Sequence, residues 1–343
     1  MKHALSILAL AAAVAGAVTA LPILGYSSST GFLIGGLIVK QLEQNPPGSS
    51  ISLDAYYGTA GVIKFQPSLV LVTGNGVLQT SIECRKILEK SWFGWGNDTD
   101  PDSSAEMDYE KYNLLAEYSM PLTSNLFITA GLDGRFSTVF NREESVLWNE
   151  IPGGVFGETF TAGLSGRITA VFPGPLHGNV LLETGGFFQE GDVSYAGVTG
   201  RARLQTYPWE NGTLATAIRL HRQFNTEETP IPFTPGIGAN VDFRGFSDNR
   251  FTGSVWTVAQ IELEQKLFQL VDDQGKPALS MKVAAFMEAG RTADSFGGLS
   301  LEDVHTDVGG GIRIGASDQA QMRIDAAWGD EGMVLSTGFN SAL

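Results

Sequence analysis

Hydrophobic and polar side chains alternate along much of this chain. In the segment NLFITAGLDGRF, residues 125–136, Leu126 and Ile128 share one side while Thr129 and Asp133 share the other. The same period of two recurs in LATAIRLHRQF (214–224), SMKVAAFMEAG (280–290) and QMRIDAAW (321–328). This is the period of a β-strand with one apolar face, whereas the longer period of an amphipathic helix is hard to find. The pattern therefore predicts an all-β chain.

The apolar face of such strands packs either on the core of a soluble sandwich or on the lipid around a membrane barrel. Strand candidates recur throughout the sequence, and no stretch of it would cover their apolar faces. Arg, Glu, His and Gln occupy mid-strand positions on the polar faces, as a wet lumen permits. Both features favour a transmembrane barrel over a sandwich.

The breaks between the strand candidates differ in length. Short breaks are found at 45–50, 121–124, 173–178 and 272–277, and long polar ones at 94–109, 137–159, 225–253 and 291–307. Short turns at one end and long loops at the other are typical of outer-membrane barrels. About 20 residues for each strand with its connection gives roughly sixteen strands. We therefore predict a single transmembrane antiparallel β-barrel of about sixteen strands.

The first twenty residues have the pattern of a secretory signal peptide. Lys2 precedes an apolar run from Ala4 to Val18, and small residues lead to a cleavage position after Ala20. We expect residues 1–20 to be removed and residues 21–343 to form the barrel. Strand-like sequence starts almost directly after the cleavage position, so no periplasmic POTRA domain is expected before the barrel.

Composition narrows the function classes. The formal net charge of −15 opposes binding to nucleic acid. The single cysteine, Cys84, excludes an intramolecular disulfide and a cysteine-based metal site. Charged residues make up 17% of the chain, below the roughly 25% that is usual for soluble domains. A low charge content together with 42 glycines agrees with a membrane barrel.

Candidate catalytic and metal motifs are weak. The acidic run at 98–110 begins with calcium-loop spacing, but Ser103 replaces the required glycine and Tyr109 replaces the bidentate glutamate. The four histidines are scattered, and the Gly-x-Ser-x-Gly nucleophile motif is absent from the sequence. We therefore expect no enzymatic activity, no cofactor and no metal.

One stretch carries a more specific signal. VDFRGFSDNRF (241–251) is followed by AQIELEQKLF (259–268), a strand with acidic residues. This combination resembles the BamA/TamA superfamily of outer-membrane barrels, also called the bacterial surface antigen family. That family places an Arg-Gly motif flanked by apolar or aromatic residues at the tip of a long extracellular loop. The loop folds back into the barrel, where the arginine meets acids on the inner wall.

Other segments resemble the same family in order and spacing. They are PILGYSSSTGFLIGG (22–36), WFGWGNDT (92–99), AAFMEAGRT (284–292) and the final strands VGGGIRI and MRIDAAWG. There are also departures. Glu264 stands where the family has an arginine two residues after the wall glutamate, and Leu343 ends the chain where an aromatic is expected. The family's Asp-x-Arg-Asp segment is absent as well.

The resemblance implies an inward-folded extracellular loop at roughly 225–253. In it, Phe243 and Phe246 wedge against the wall, Gly245 allows a tight turn, and Arg244 is held by inner-wall acids. The acids we predict are Glu262 and Glu288, because both have the inward parity of their strands. Together these six residues would form a loop latch. The alternative is that Arg244 is an exposed loop residue and the acids only line a wet pore.

The resemblance also implies a function. Barrels of this family assist insertion or translocation of proteins or lipids by opening between their first and last strands, without bond chemistry. We expect a monomeric barrel in the bacterial outer membrane, in contact with lipid and lipopolysaccharide. Further partners would be the barrel-assembly machinery or a separate periplasmic protein. The alternative is a passive porin-like or structural barrel, for which the acidic balance predicts cation preference.

Overall fold

The alternating segments form strands of one antiparallel sheet that curls into a nearly closed barrel. The computed structural model describes residues 18–27, 31–42, 48–150, 156–241, 243–271, 277–317 and 320–339. Sixteen strands follow one another around the sheet in chain order. The prediction of about sixteen strands is therefore confirmed. The described residues contain no helix that is long and apolar enough to cross a membrane.

The first eleven strands precede the longest loop. They are β1 Val18–Ser27, β2 Gly31–Gln41, β3 Ser50–Gly58, β4 Val62–Thr73, β5 Gly76–Trp92, β6 Ala105–Pro121, β7 Leu126–Arg142, β8 Thr159–Pro173, β9 Asn179–Gly191, β10 Tyr195–Thr206 and β11 Gly212–Phe224. Two short strands, β12 Gly236–Ile237 and β13 Phe251–Thr252, pair with each other inside that loop. The barrel then continues with β14 Val255–Val271, β15 Pro277–Ala293, β16 His305–Ser317, β17 Ala320–Gly329 and β18 Gly332–Phe339. Short 3-10 helices lie at Val146–Glu150, Thr226–Glu228, Ile231–Phe233, Ala239–Val241 and Phe296–Gly298.

The two faces of the strands have the predicted orientation. Leu132 of β7 is 63% exposed on the outer surface, whereas Thr129 and Asp133 of the same strand are buried. On β14, Ile261 is exposed and its neighbour Glu262 is buried. Successive side chains of a strand point to opposite faces, so the apolar set faces outward and the polar set lines the lumen.

The four long predicted breaks lie at one end of the barrel, and the four short ones lie at the other. Three of the long breaks are shorter than predicted, because the strands extend beyond their apolar zones, whereas the break predicted at 225–253 is observed at 225–254. β6 already begins at Ala105, and β7 continues to Arg142. At the start of β6 the alternation is reversed: Ala105 and Met107 are buried on the inner face, whereas Glu106 lies outside. Backbone pairing such as Met107 with Arg142 continues there.

The chain start is described only from Val18, where β1 begins. Residues 1–17, most of the predicted signal peptide, lie outside the described residues. Cleavage after Ala20 would remove the first part of β1 and leave Leu21 as the first residue of the strand. The signal peptide therefore remains a prediction.

The sheet does not close by backbone pairing. β1 and β18 are its two ends, and within the described ranges no ladder joins them. A Cβ atom at Gly25 of β1 would overlap the side chain of Thr337 of β18. Gly25 has inward parity, because its neighbours Leu24 and Tyr26 pair with the exposed residues of β2. Thr337 pairs with the exposed Ile324, so the outer face of β18 meets the inner face of β1.

We expect lipid to cover the outer face, and an arginine scan tests this. Leu164 of β8 and Leu301 of a long loop are both exposed, at 63% and 96%. In lipid vesicles, Leu164→Arg should lower the free energy of unfolding by about 2–4 kcal/mol, because a charged side chain is expensive in the bilayer. Leu301→Arg should leave it unchanged. The measurement is a urea titration followed by tryptophan fluorescence; equal effects of the two substitutions would mean that water covers both sites.

Candidate functional site

The loop between β11 and β14, residues 225–254, packs against the barrel wall. Its sequence TPIPFTPGIG contains three prolines, which supply no backbone N–H and prevent a continuous strand pair. Only the two-residue strands β12 and β13 pair within it. Ile237, Phe243, Phe246 and Phe251 are almost fully buried and pack with side chains of β14. The loop therefore has an apolar cluster of its own inside the barrel mouth.

Arg244 extends from this cluster to the acids on the wall. Its Nη1 donates to Glu262 Oε2 at 2.6 Å, and its Nε donates to Glu288 Oε1 at 2.8 Å. Its backbone N–H donates to Glu288 Oε2 at 2.7 Å. The Arg244 side chain is 1% exposed. Burial alone would lower the pKa of the Arg244 guanidinium, but Glu288, Glu262 and Asp325 raise it above the ordinary value. Arg244 is therefore a permanently charged group inside the protein.

Gly245 lies in a turn, as predicted, in which the Phe246 N–H donates to the Phe243 carbonyl at 3.4 Å. Its backbone is not in the left-handed region, so the step does not need glycine for a tight turn. The Gly245 N–H donates to Asp307 Oδ2 at 2.6 Å, and a Cβ at this position would overlap the Asp307 side chain. Glycine is required because the loop backbone approaches β16 this closely. The turn predicted at Gly245 is present, and glycine is needed in it for the close approach to Asp307 rather than for a left-handed backbone.

Arg313 of β16 is a second buried cation in the cluster, which the sequence did not indicate. Its Nη1 donates to Asp325 Oδ1 at 2.5 Å and its Nη2 donates to Glu262 Oε1 at 3.1 Å. The family resemblance places an arginine where this chain has Glu264. Here Glu264 binds Lys282 at 3.0 Å, and Arg313 supplies the second arginine from another strand. Glu262 is thereby held by two guanidinium groups.

Two glycines on β16 make space for this arrangement. The Arg244 guanidinium lies 3.3 Å from the centroid of the Phe286 ring, a cation–π contact. A Cβ at Gly309 would overlap that ring, and one at Gly311 would overlap the Asp325 carboxylate beside Arg313. The glycine run in VGGGIRI therefore opens the inner wall for bulky side chains of the neighbouring strands.

Further polar contacts connect the loop to the outer end of the barrel. Arg250, also 1% exposed, donates to Thr99 of the loop between β5 and β6. Its Nη2 lies 2.6 Å from Glu331 Oε1 in the turn between β17 and β18. The loop is therefore connected both to the inner wall and to the hairpin that contains the last strand.

The loop also contacts the wall opposite the acids. Asp248 Oδ2 lies 3.8 Å from Arg85 Nη2, and Lys90 Nζ donates to the Asp248 carbonyl at 2.7 Å. Arg85 and Lys90 both belong to β5. The loop thus presents a cation to the acidic wall of β14–β17 and an anion to the basic wall of β5.

The structure brings together all six residues singled out in the sequence: Phe243, Arg244, Gly245, Phe246, Glu262 and Glu288. Whether they hold the loop as a latch stays a prediction until loop release is measured. Sequence reasoning missed Asp307, Arg313 and Asp325, although their inward parity was a usable signal. Among the described residues, no group of three or more potential ligands is placed to hold a metal ion.

Comparison with solved structures identifies the fold. The chain is similar to BamA from Haemophilus ducreyi lacking POTRA domains 1–3, with a TM-score of 0.62, 14% identity, and coverage of 94% of this chain and 71% of that one. It is also similar to CdiB from Escherichia coli, with a TM-score of 0.65, 12% identity, and coverage of 93% of this chain and 61% of that one. CdiB from Acinetobacter baumannii is similar as well, with a TM-score of 0.59, 11% identity, and coverage of 94% of this chain and 59% of that one.

These similarities show a BamA-like barrel fold at low sequence identity. The chain spans 61% and 59% of the two CdiB chains, so those proteins contain segments that this one does not match. No family model matches the sequence, and no curated protein sequence matches it significantly. The shared property is thus the barrel itself.

Arg244→Ala should release the loop. It would leave Glu262 and Glu288 without a cation that binds both, and breaking a buried ion pair costs about 3–5 kcal/mol. We expect faster protease cleavage within 225–254 and larger conductance fluctuations in planar bilayers, while heat-dependent gel mobility still shows a folded barrel.

Arg142→Ala is the matched control, because it removes one positive charge from an exposed position at the end of β7. It should leave cleavage and conductance unchanged. Replacing Arg244 and Glu288 together should destabilise the loop by less than the sum of the single changes. Wild-type cleavage and conductance in Arg244→Ala would refute the latch.

Proposed function

We propose that this protein is a bacterial outer-membrane barrel that assists insertion or translocation of proteins or lipids by opening between β1 and β18. The observation that carries the proposal is the unpaired seam between these strands. Backbone pairing makes the rest of the barrel wall continuous, whereas no ladder among the described residues connects its two ends. Opening at this seam would break fewer backbone hydrogen bonds than opening at any paired position.

The position of the loop supports a lateral path for a client, through the seam between β1 and β18. The apolar cluster and Arg244 hold residues 225–254 inside the barrel mouth, which narrows the axial route through the lumen. Moving the loop away would expose buried carboxylates, whereas separating β1 from β18 leaves the Arg244 cluster intact. A client that leaves through the seam would therefore not need to displace the loop.

The contacts of the loop also reach the strands beside the seam. Arg244 Nη1 lies 3.5 Å from Asp325 Oδ2 of β17, and Arg250 binds Glu331 in the turn that leads into β18. In this proposal the loop fixes β17 and the outer turn, so that motion is confined to the remainder of β18 and to β1.

The outer surface supports the proposed location. Its exposed aliphatic and aromatic side chains form the outer face of strands all around the sheet. Lipid and lipopolysaccharide would surround this face, and a barrel-assembly component or separate periplasmic protein would deliver clients. The proposal involves no bond chemistry and no cofactor.

A passive pore is the second candidate, and the lumen favours it in one respect. A cavity of about 710 Å³ lies beside the loop and is lined by charged side chains of β5–β9. A lumen of this kind would conduct small solutes if the loop left a continuous path. Steady conductance and the seam experiment below separate the two functions.

A reversible disulfide across the seam tests the proposal. In a Cys84→Ser background, Gly25→Cys with Thr337→Cys would connect β1 to β18. A Cβ at Gly25 lies 2.8 Å from the Thr337 Cβ, so the strands need to separate by about 1 Å to reach disulfide geometry. The wild-type barrel in liposomes should accelerate folding of a urea-denatured eight-stranded barrel or transfer of a fluorescent phospholipid. The oxidised variant should fall to the rate of protein-free liposomes, and dithiothreitol should restore it.

The control is Ile324→Cys with Thr337→Cys, which connects β17 to β18 at positions that already pair. It shares one cysteine with the seam variant and should keep full activity when oxidised. A barrel that accelerates neither process and shows a steady open channel would be a passive pore, and the proposal would be wrong.

A further inference from the structure

The inner wall opposite Arg244 carries a row of cations. Arg85 of β5, Lys111 of β6, Arg135 of β7 and Arg167 of β8 all line the 710 Å³ luminal cavity. Arg85 and Lys111 are directly opposite each other in the ladder between β5 and β6. Like charges at directly opposite positions destabilise a strand pair. A neighbouring anion would remove this repulsion.

Most acids of the cavity are already bound by other groups. Asp133 lies 2.6 Å from Arg135 Nη2, and Glu117 lies 3.3 Å from Arg167 Nη2. Glu183 lies 3.9 Å from Arg167 Nε, and Glu83 accepts a hydrogen bond from Asn113 at 3.2 Å. The ion pairs of these wall acids are thus made with Arg135 and Arg167, and none of the four lies within ion-pair distance of Arg85 or Lys111.

Lys111 and part of Arg85 have donors that no close carboxylate binds. Lys111 forms no ion pair with any carboxylate in the described part of the chain. Its Nζ lies 5.8 Å from the centroid of the Phe233 ring. Arg85 Nε is buried and has no hydrogen-bond partner among the described residues. The ion pair of Arg85 with Asp248 is long, at 3.8 Å. Donors on two neighbouring strands are therefore available to one ligand.

Phe233, a residue of the loop 225–254, lies over Lys111 and Arg135. Its ring centroid is 5.8 Å from Lys111 Nζ and 5.4 Å from the Arg135 guanidinium. An aromatic ring beside the cations excludes water, and lower local polarity strengthens their attraction for an anion. The loop thus supplies a cover for the cations in addition to the carboxylate of Asp248.

We propose that Arg85, Lys111 and Arg135 form a binding site for a phosphate group in the lumen. A phosphate offers several charged oxygens, which suit the Lys111 ammonium group and the unbound Nε of Arg85 on adjacent strands. The Arg135 guanidinium donates to Asp133 and Tyr195 and adds positive charge beside them. Asp248 of the loop occupies part of the site and competes with the ligand. The phosphate belongs either to a free solute or to a lipid headgroup that reaches the lumen. The site needs no opening of the seam, so its test is independent of the proposed function.

Isothermal titration calorimetry of the detergent-purified full chain with inorganic pyrophosphate tests the site. Lys111→Met should weaken binding by roughly tenfold, the effect of losing one close charge at intermediate polarity. Lys111→Arg should retain binding. Lys86→Met is the matched control, because Lys86 is the next residue after Arg85 on β5 but pairs with Glu110 on the outer face. It should bind like the wild type.

Asp248→Asn should act in the opposite direction and tighten pyrophosphate binding by roughly fivefold, because a competing charge near Arg85 is removed. Asp102→Asn, at an exposed loop position, controls for the change in net charge. Heat-dependent gel mobility checks that each variant is folded. A gain in one variant and a loss in the other cannot both result from misfolding.

Dioctanoyl phosphatidylglycerol in place of pyrophosphate identifies the source of the phosphate. Binding of the lipid that is lost in Lys111→Met assigns the site to a headgroup, and binding of pyrophosphate alone assigns it to a free solute. The proposal is overturned if neither probe binds at millimolar concentration, or if Lys111→Met binds as tightly as the wild type. It is also overturned if Asp102→Asn tightens binding as much as Asp248→Asn.

Discussion

The interaction on which the rest of this structure depends is the pairing of Arg244 with Glu262 and Glu288 inside the barrel. A guanidinium that has left water needs carboxylates at hydrogen-bonding distance, and buried carboxylates equally need a cation. Neither partner is stable in the lumen alone. Because the arginine belongs to a loop and the acids belong to β14 and β15, we expect this mutual requirement to hold the loop in its place. The apolar cluster around Phe243 and Phe246 and the approach of Gly245 to Asp307 then follow from that position.

The wall of the lumen carries acids on one side and cations on the other, and the loop presents the opposite charge to each side. Acids of β14–β17 face Arg244, whereas cations of β5–β8 face Asp248 and Phe233. Opposite charges on this one loop orient it across the lumen, since rotating it would place each charge against a wall of its own sign. The acidic side is compensated by Arg244 and Arg313. On the basic side the wall acids pair with Arg135 and Arg167, and no described carboxylate lies within ion-pair distance of Lys111. This local lack of a close anion is the physical basis of the phosphate site inferred above.

The seam and the loop are connected through β17 and its outer turn. Asp325 lies beside Arg244, and Glu331 binds Arg250, so two loop arginines act on the hairpin that ends the sheet. β18 is thereby attached along β17 and at its outer turn, while its other edge has no backbone partner among the described residues. A strand held on one edge can separate from β1 without unfolding the wall. The similarity to BamA and CdiB at the level of fold agrees with this architecture.

The sequence by itself determined the strands, their approximate number and which face of each is apolar. These depend on local periodicity: an inward residue such as Glu288 is recognised from its own strand. The expectation that Arg244 meets Glu262 and Glu288 came from the resemblance of the Arg-Gly motif to a known family. Only the tertiary structure decided that Arg313 replaces the arginine expected at Glu264, that Gly245 is needed for close approach, and that Asp248 meets Arg85. Each of these depends on the register between strands that are distant in the chain and on the curvature that brings opposite walls to one loop. Neither register nor curvature is encoded in the period of a single strand, because alternation specifies a face and not a neighbour.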